Sequence, residues 1–177
     1  FLGDDEGKKI HQISTAKLGA LEDIVDEVTS SSKKLVVIAR FIPEIEAITD
    51  LLSKKKLKFS LITGNIKNRS EQIEQFQNES DVLVFVGQIA TAGLGITLTA
   101  ASTMVFYSLD YSMSNFEQTK ARIHRAGQCA PCTYIYLIAK GTIDEKVMKS
   151  LNKKYDLASS LIDDYRQGLN PFKSERK

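Results

Sequence analysis

The stretch SNFEQTKARIHRAGQ, which begins at Ser114, places two arginines and a glutamine where they can act together. Ser114 is followed three residues later by Glu117, the capping-box pattern found at the start of helices. At about 100° per residue, Gln118, Arg122 and Arg125 fall within one narrow arc of that helix. Guanidinium groups suit bidentate contact with phosphate oxygens. The spacing therefore predicts a phosphate-binding face, with a solvated basic face as the alternative.

A second candidate site is the glycine-containing segment Gly93-Leu94-Gly95, which follows an apolar run and precedes the arginine stretch. Glycine lets the backbone approach a ligand closely, and its N–H groups can meet a phosphate or a ribose. A simple turn is the alternative. The placement of the segment favours nucleotide binding by Gly93 and Gly95.

The two cysteines form the string Cys129-Ala-Pro-Cys132, which can indicate redox chemistry or half of a zinc site. A zinc site would need two more ligands, and His11 and His124 are the histidines of the chain. The pair follows a predicted helix, whereas a redox cysteine is activated at a helix N-terminus. We therefore expect a turn with two small side chains and no metal site.

Composition places few limits on function. The chain has 177 residues, of which 42% are hydrophobic, and 24 Lys and Arg stand against 22 Asp and Glu. These values are ordinary for a globular domain, and any nucleic-acid contact must come from local patches. No apolar run approaches the ~18 residues of a membrane span, and the sequence has no signal-peptide pattern. We expect a cytoplasmic setting and no membrane partner.

Apolar runs of strand length alternate with helical patterns along the chain. This alternation predicts an α/β fold with a parallel sheet and helices on both faces. Ligands in such sheets bind at the carboxyl ends of the strands, where the loops 39–42, 63–69, 88–95 and 109–114 lie. The predicted strands are 34–39, 58–63, 82–86, 103–107 and 133–138. The predicted helices start at Ser14 or Thr15, at Pro43, at Asn68, at Ser114 and at the capping pair Thr142 and Glu145. The last of these helices either continues towards the C-terminus or is followed by a second helix.

Several motifs together resemble the Swi/Snf-type family of superfamily-two helicase-like ATPases. The family's last motif, Q-x-x-x-R-x-H-R-x-G-Q, is matched by Gln118, Arg122, His124, Arg125, Gly127 and Gln128. The likeness extends over about 14–162 and includes the S-x-K-L pattern at 14–18, the strand motif at 34–41, the G-L-G run at 93–101 and the K-G-T-x-E-E pattern at 140–145. The sequence departs from the family at Ala121, at Ala39-Arg40, at the turn 63–65 and at 88–91, where acids or polar residues are more common.

The resemblance implies that the chain is the second, C-terminal RecA-like lobe of such an ATPase, followed by brace helices. It implies that Arg122 and Arg125 are arginine fingers on the γ-phosphate of ATP, with Gln118 and the two glycines beside the nucleotide. It also implies partners: duplex DNA, held through its phosphate backbone, and the first ATPase lobe. The implied DNA-binding residues are Arg40, Asn65, Lys67, Arg69 and Thr91, for each of which loop solvation is the alternative.

The chain has no G-x-x-x-x-G-K-[ST] phosphate loop and no paired acids for magnesium, both of which phosphoryl transfer requires. We therefore expect ATP and Mg²⁺ to be bound mainly by an absent first lobe, and this fragment alone to be inactive. The expected domains are a linker or chain edge at 1–13, the lobe at 14–140, brace helices at 141–167 that pack back on it, and a polar tail at 168–177.

Two functions remain open beside the DNA-dependent motor lobe. One is a non-catalytic module of the same fold that binds nucleic acid or a partner. The other is an unrelated nucleotide-binding α/β domain, which would not need both arginines. The lack of large insertions predicts a compact bacterial or phage member, in a bacterial cell or an infected host; a eukaryotic source would predict a nuclear protein.

Overall fold

The computed structural model describes residues 2–3, 10–11, 15–64 and 66–166. Ser14, Asn65 and the segment 167–177 lie outside the described residues. Within the predicted linker at 1–13, strands β1 (Leu2–Gly3) and β2 (Ile10–His11) pair antiparallel.

The main sheet has five strands, all parallel, in the spatial order β4-β5-β3-β6-β7. The predicted strands are all present, with ends shifted by a few residues, and the α/β class is confirmed. The strands are β3 (Lys34–Ala39), β4 (Lys58–Ile62), β5 (Val82–Gln88), β6 (Ala101–Phe106) and β7 (Thr133–Tyr136).

In the described part of the chain, five α-helices and one 3-10 helix connect and flank the strands. They are α1 (Ala16–Ser30), α2 (Ile42–Lys54), α3 (Arg69–Asn78), the 3-10 helix (Ile89–Leu94), α4 (Met113–Lys120) and α5 (Ile143–Arg166). The predicted C-terminal helices are one continuous helix of 24 residues. Among the described residues, no helix combines the length and apolarity that crossing a membrane requires.

The central strand β3 contributes to two hydrophobic cores. Val36 and Ile38 face a cluster that includes residues of α3, α4 and α5, whereas Leu35 and Val37 face residues of α1 and α2. This alternation follows from the two-residue period of a strand. Helices therefore cover both faces, as the continuous apolar run of β3 predicts.

An ion pair connects the start of α5 to α1. Lys17 Nζ lies 2.5 Å from Asp144 Oδ2, with both side chains largely buried, and Lys17 also donates to the carbonyl of Tyr107 at 3.0 Å. The same Asp144 carboxylate accepts a hydrogen bond from the Ala139 N–H at 3.0 Å. The acid that organises this helix start is thus Asp144, one residue before the predicted Glu145.

The buried phenol of Tyr107 should make the protein less stable at high pH. Burial, followed by the negative charges of Glu44 and Asp144, raises the pKa of the Tyr107 phenol to about 12. The folded protein therefore keeps this proton between pH ~10 and ~12, whereas the unfolded chain releases it. The free energy of unfolding should fall across this interval by on the order of 2 kcal/mol through this residue. Urea unfolding of the wild type and of Tyr107→Phe at pH 9 and pH 11.5 measures the difference.

Burial also raises the pKa of the Tyr134 and Tyr136 phenols. Both residues are present in the wild type and in Tyr107→Phe, so they lower the stability of the two proteins equally at high pH. Tyr107→Phe should lose less stability than the wild type on going to high pH. Equal losses in the two proteins would contradict the assignment.

Candidate functional site

The helix that precedes the two arginines begins earlier and ends earlier than predicted. Its N-cap is Ser112, whose Oγ accepts a hydrogen bond from the Asn115 N–H at 3.2 Å. Ser114, the predicted cap, instead accepts a hydrogen bond from the Gln118 side chain at 3.0 Å. Since α4 ends at Lys120, the prediction that the glutamine and both arginines share one continuous helical face is wrong.

Arg122 and Arg125 lie in a turn, 121–127, which we call the arginine turn. The helix ends because the Arg122 carbonyl accepts a hydrogen bond from the Leu98 N–H at 2.9 Å, outside the helix. Ile123 is fully buried in the core. The turn closes at Gly127, whose φ of +98° is readily adopted only by glycine. A tertiary contact and a buried side chain thus replace the next helical turn.

Gln128 ties the arginine turn to the segment that leads into β6. Its Nε2 donates to the carbonyls of Ala101 at 2.8 Å, Thr99 at 3.2 Å and Ile123 at 3.2 Å, and its Oε1 accepts from the Ala130 N–H at 3.0 Å. Apart from Ala101, the first residue of β6, the backbone groups bonded by Gln128 belong to no helix or strand and so need such partners. The carboxamide therefore fixes the turn from its C-terminal side.

Arg125 lies directly on the glycine-containing segment. Its Nη1 donates to the carbonyls of Gly95 at 3.2 Å and Ile96 at 3.5 Å and to Thr97 Oγ1 at 3.1 Å. Gly95, with φ +68°, ends the 3-10 helix in which Gly93 lies. These contacts with described residues all involve Nη1, one of the two terminal nitrogens of the side chain. The guanidinium has five N–H donors in total. The side chain remains exposed.

The two arginines influence each other electrostatically. Burial, and then the positive charge of Arg125, lowers the pKa of the half-buried Arg122 guanidinium. Two neighbouring cations raise the local positive potential and so favour an anion between them. Gln118, by contrast, is exposed and bonded to Ser114. The structure thus places Arg125 on the Gly95 backbone and within electrostatic reach of Arg122, and it gives Gln118 a contact within α4.

The predicted DNA-binding residues follow the carboxyl ends of β3, β4 and β5. Arg40 and Lys67 are exposed, and Arg69 donates to the carbonyls of Gly64 and Ile66, at 3.0 Å each, so it also holds its own loop. Thr91 is buried and donates its hydroxyl to the Gln88 carbonyl at 2.6 Å. Asn65, the remaining predicted residue, lies outside the described residues.

Gln88, the first residue of the candidate loop 88–95, connects two other candidate loops, a role that the sequence did not predict for it. Its Oε1 accepts from the Gly64 N–H at 3.3 Å and its Nε2 donates to the Arg40 carbonyl at 3.3 Å, so one side chain bridges the loops after β4 and β3. The sequence signal for this role was a single polar residue at the end of an otherwise apolar strand.

The cysteines are free thiols, of which Cys129 is exposed and Cys132 is half-buried. Cys132 lines a cavity of about 330 Å³ beside the arginine turn, together with Glu117, Lys120, His124 and Tyr134. In the described part of the chain, no three or more His, Cys, Asp or Glu side chains are grouped so that they could hold a metal ion.

Comparison with known proteins gives one family match and several relatives. Residues 16–127, more than half of the chain, match the family model for the helicase conserved C-terminal domain. The Mus musculus DNA annealing helicase and endonuclease ZRANB3 is 31% identical over 169 residues, which are 94% of this chain and 16% of that protein. The Homo sapiens chromatin-remodeling ATPase INO80 is 29% identical over 158 residues, which are 88% of this chain and 10% of that protein.

A solved structure, the C-terminal part of the Fun30 ATPase domain, has the same fold. It matches with a TM-score of 0.73 and 22% sequence identity over 81% of this chain and 48% of that chain. The chain spans about a sixth or less of the length of the two curated relatives. Both relatives come from mammals, and the bacterial or phage source that the sequence suggested stays a prediction.

Gln128 provides a test of how the arginine turn is held. Gln128→Leu should lower the free energy of unfolding by about 1–3 kcal/mol, because carbonyls bonded to Nε2 lose their partner. Gln118→Leu is the matched control, since Gln118 is exposed and bonded to one side chain, and it should change stability by less than about 0.5 kcal/mol. Urea unfolding midpoints measure both. Similar losses in the two variants would contradict the structural role of Gln128.

Proposed function

The chain belongs to the helicase conserved C-terminal domain family, as the C-terminal RecA-like lobe of a Swi/Snf-type superfamily-two ATPase, and from this premise we propose a motor function. In this proposal the lobe supplies arginine fingers to ATP held by a first lobe and provides part of a track for duplex DNA. ATP and Mg²⁺ bind mainly to the first lobe, because this chain has neither a phosphate loop nor paired magnesium-binding acids.

The contact of Arg125 with the Gly95–Thr97 segment is the observation that supports the finger role most directly. Three hydrogen bonds hold the Arg125 guanidinium at the surface, where its positive charge also acts on the Arg122 guanidinium. Positioning of charge ahead of the reaction is how fingers accelerate phosphoryl transfer. Gly95, in the same contact, presents backbone where a phosphate or a ribose can approach.

The exposed cations after β3 and β4 support the DNA track. Arg40 and Lys67 lie at the carboxyl edge of the parallel sheet, where ligands of such folds bind. Contacts of this kind go to phosphates, so they position the DNA without reading its sequence. The proposed activity is therefore ATP-driven movement along duplex DNA, without a preferred sequence.

Turnover by a longer protein that contains both lobes tests the finger role. Arg125→Ala should lower DNA-stimulated ATP hydrolysis by roughly 10³–10⁵-fold, because the charge that stabilises the transition state is lost. Arg166→Ala, which removes an exposed arginine at the end of α5, is the matched control and should leave turnover unchanged. The present chain alone should not hydrolyse ATP. Turnover by the Arg125→Ala protein close to that of the wild type would favour a binding module of the same fold.

Salt dependence of DNA binding tests the track. If Lys67 contacts a phosphate, Lys67→Gln should reduce the slope of log Kobs against log salt by about 1 and weaken binding equally for different sequences. Lys153→Gln, in the exposed part of α5, removes the same charge elsewhere and should leave the slope unchanged. Fluorescence anisotropy titrations of a labelled duplex give both slopes. Equal effects of the two substitutions would indicate general electrostatic attraction only.

A further inference from the structure

Arg40 and Phe41 form an exposed pair directly after β3. The Arg40 Cζ atom lies 4.8 Å from the centroid of the Phe41 ring, a cation–π distance. Phe41 is 45% exposed although it is a large aromatic residue. A single exposed apolar side chain is common on protein surfaces and would carry no meaning alone. The exposure of Phe41 is informative because hydrogen bonds hold the backbone of this pair in place.

Three side chains fix the backbone of residues 40 and 41. The Arg40 N–H donates to Ser108 Oγ at 2.7 Å, the Phe41 N–H donates to Glu44 Oε2 at 3.3 Å, and Gln88 Nε2 donates to the Arg40 carbonyl at 3.3 Å. Ser108 is buried and donates its hydroxyl to the Glu44 carboxylate. Glu44 is itself only 7% exposed.

Burial of a carboxylate costs free energy unless hydrogen bonds satisfy it. Here the buried Glu44 bonds to a buried hydroxyl and to the backbone N–H of Phe41, whose side chain is exposed. Phe41 is the N-cap of α2 and Glu44 its third residue, so this bond between them belongs to the capping box of α2. Together with the contacts of Ser108 and Gln88, it fixes the backbone from which the Arg40 and Phe41 side chains project. Such preorganisation lowers the entropy that a ligand contact must overcome.

We propose that Arg40 and Phe41 are a stacking platform for an unpaired base of single-stranded DNA, and that Glu44, Ser108 and Gln88 are its positioning residues. This inference rests on the proposed function, since the platform lies at the same edge of the sheet as the DNA track. It adds a substrate class, namely a duplex interrupted by or joined to unpaired nucleotides. Bases stack on aromatic rings and on guanidinium planes, whereas a phosphate contact needs no ring.

The surroundings of the platform suit a nucleic-acid strand. Gln88 connects Arg40 to the loop after β4 through the Gly64 N–H, and that loop carries the exposed Lys67. The positive charge of Lys67, which can pair with the phosphates of a DNA strand, thus lies on a loop that Gln88 connects to the backbone beside Phe41. Aromatic rings interleaved with cations are the usual arrangement in proteins that bind single strands.

DNA binding by a longer protein that contains both lobes, in the absence of ATP, tests this proposal with three ligands. They are a continuous duplex, the same duplex with a short gap of unpaired thymidines, and the same gap built from abasic nucleotides, which keep the phosphates and remove the bases. The wild type should bind the thymidine gap about ten-fold more tightly than the duplex, and the abasic gap should lose this preference. Fluorescence anisotropy gives the affinities, and 5-iodouracil in the gap should photo-cross-link to Phe41.

Phe41→Leu should abolish the preference for the thymidine gap while its affinity for the continuous duplex stays unchanged. Ile42→Ala is the matched control, since Ile42 is the neighbouring exposed apolar residue at 40% exposure, and it should keep the preference. Because Phe41 is exposed, the unfolding midpoint of Phe41→Leu should be close to that of the wild type, which separates loss of binding from loss of folding.

The outcomes distinguish this inference from the proposed function. Salt-dependent binding of the duplex with no preference for the thymidine gap, or with the same preference for the abasic gap, overturns the stacking platform and leaves the track intact. Phe41 would then be assigned to contact with a protein, such as the first lobe. Absence of salt-dependent binding to any of the three ligands overturns the track and the platform together.

Discussion

The burial of β3 on both faces is the constraint on which the rest of the structure depends. This strand is hydrogen-bonded to β5 on one side and to β6 on the other, and its residues from Leu35 to Ala39 are buried. Consecutive side chains therefore belong to opposite cores, so both layers of helices must be in place for either face to be covered. The loops that carry the candidate site leave the carboxyl ends of these three strands and of β4, so the sheet fixes the spacing between them.

The sequence predicted the sheet well because a strand buried on both faces has a simple signature, a short continuous apolar run. It predicted the end of α4 poorly because that end is set by tertiary contacts. Ile123 must enter the core, and the Arg122 carbonyl bonds to Leu98, which is far away in the sequence. Periodicity cannot register a hydrogen bond to a residue so far away in the sequence. The capping-box pattern of Ser114 and Glu117 predicted the wrong serine, because the three-dimensional context makes Ser112 the cap.

The sequence named candidate site residues but could not predict the contacts that they make. The approach of Arg125 to Gly95 depends on how the arginine turn folds against the 3-10 helix, which no local pattern specifies. Gln128 was part of a recognised motif, yet its bonds to backbone carbonyls became visible only in three dimensions. The motif therefore contains two kinds of residue: exposed side chains that can contact a ligand, and side chains that hold the arginine turn in place.

The single long helix α5 has a mechanical consequence. Its first turn is held by the Lys17–Asp144 ion pair, Val147 and Leu151 are buried in the lobe, and most of the residues described after Leu151 are exposed. At 1.5 Å per residue, the part beyond Leu151 extends for about 22 Å. A straight helix of that length converts a tilt of about 10° at Leu151 into a displacement of about 4 Å at Arg166. The exposed Tyr155 and Ile162 lie on this part of the helix, so small rotations of the lobe reach them magnified.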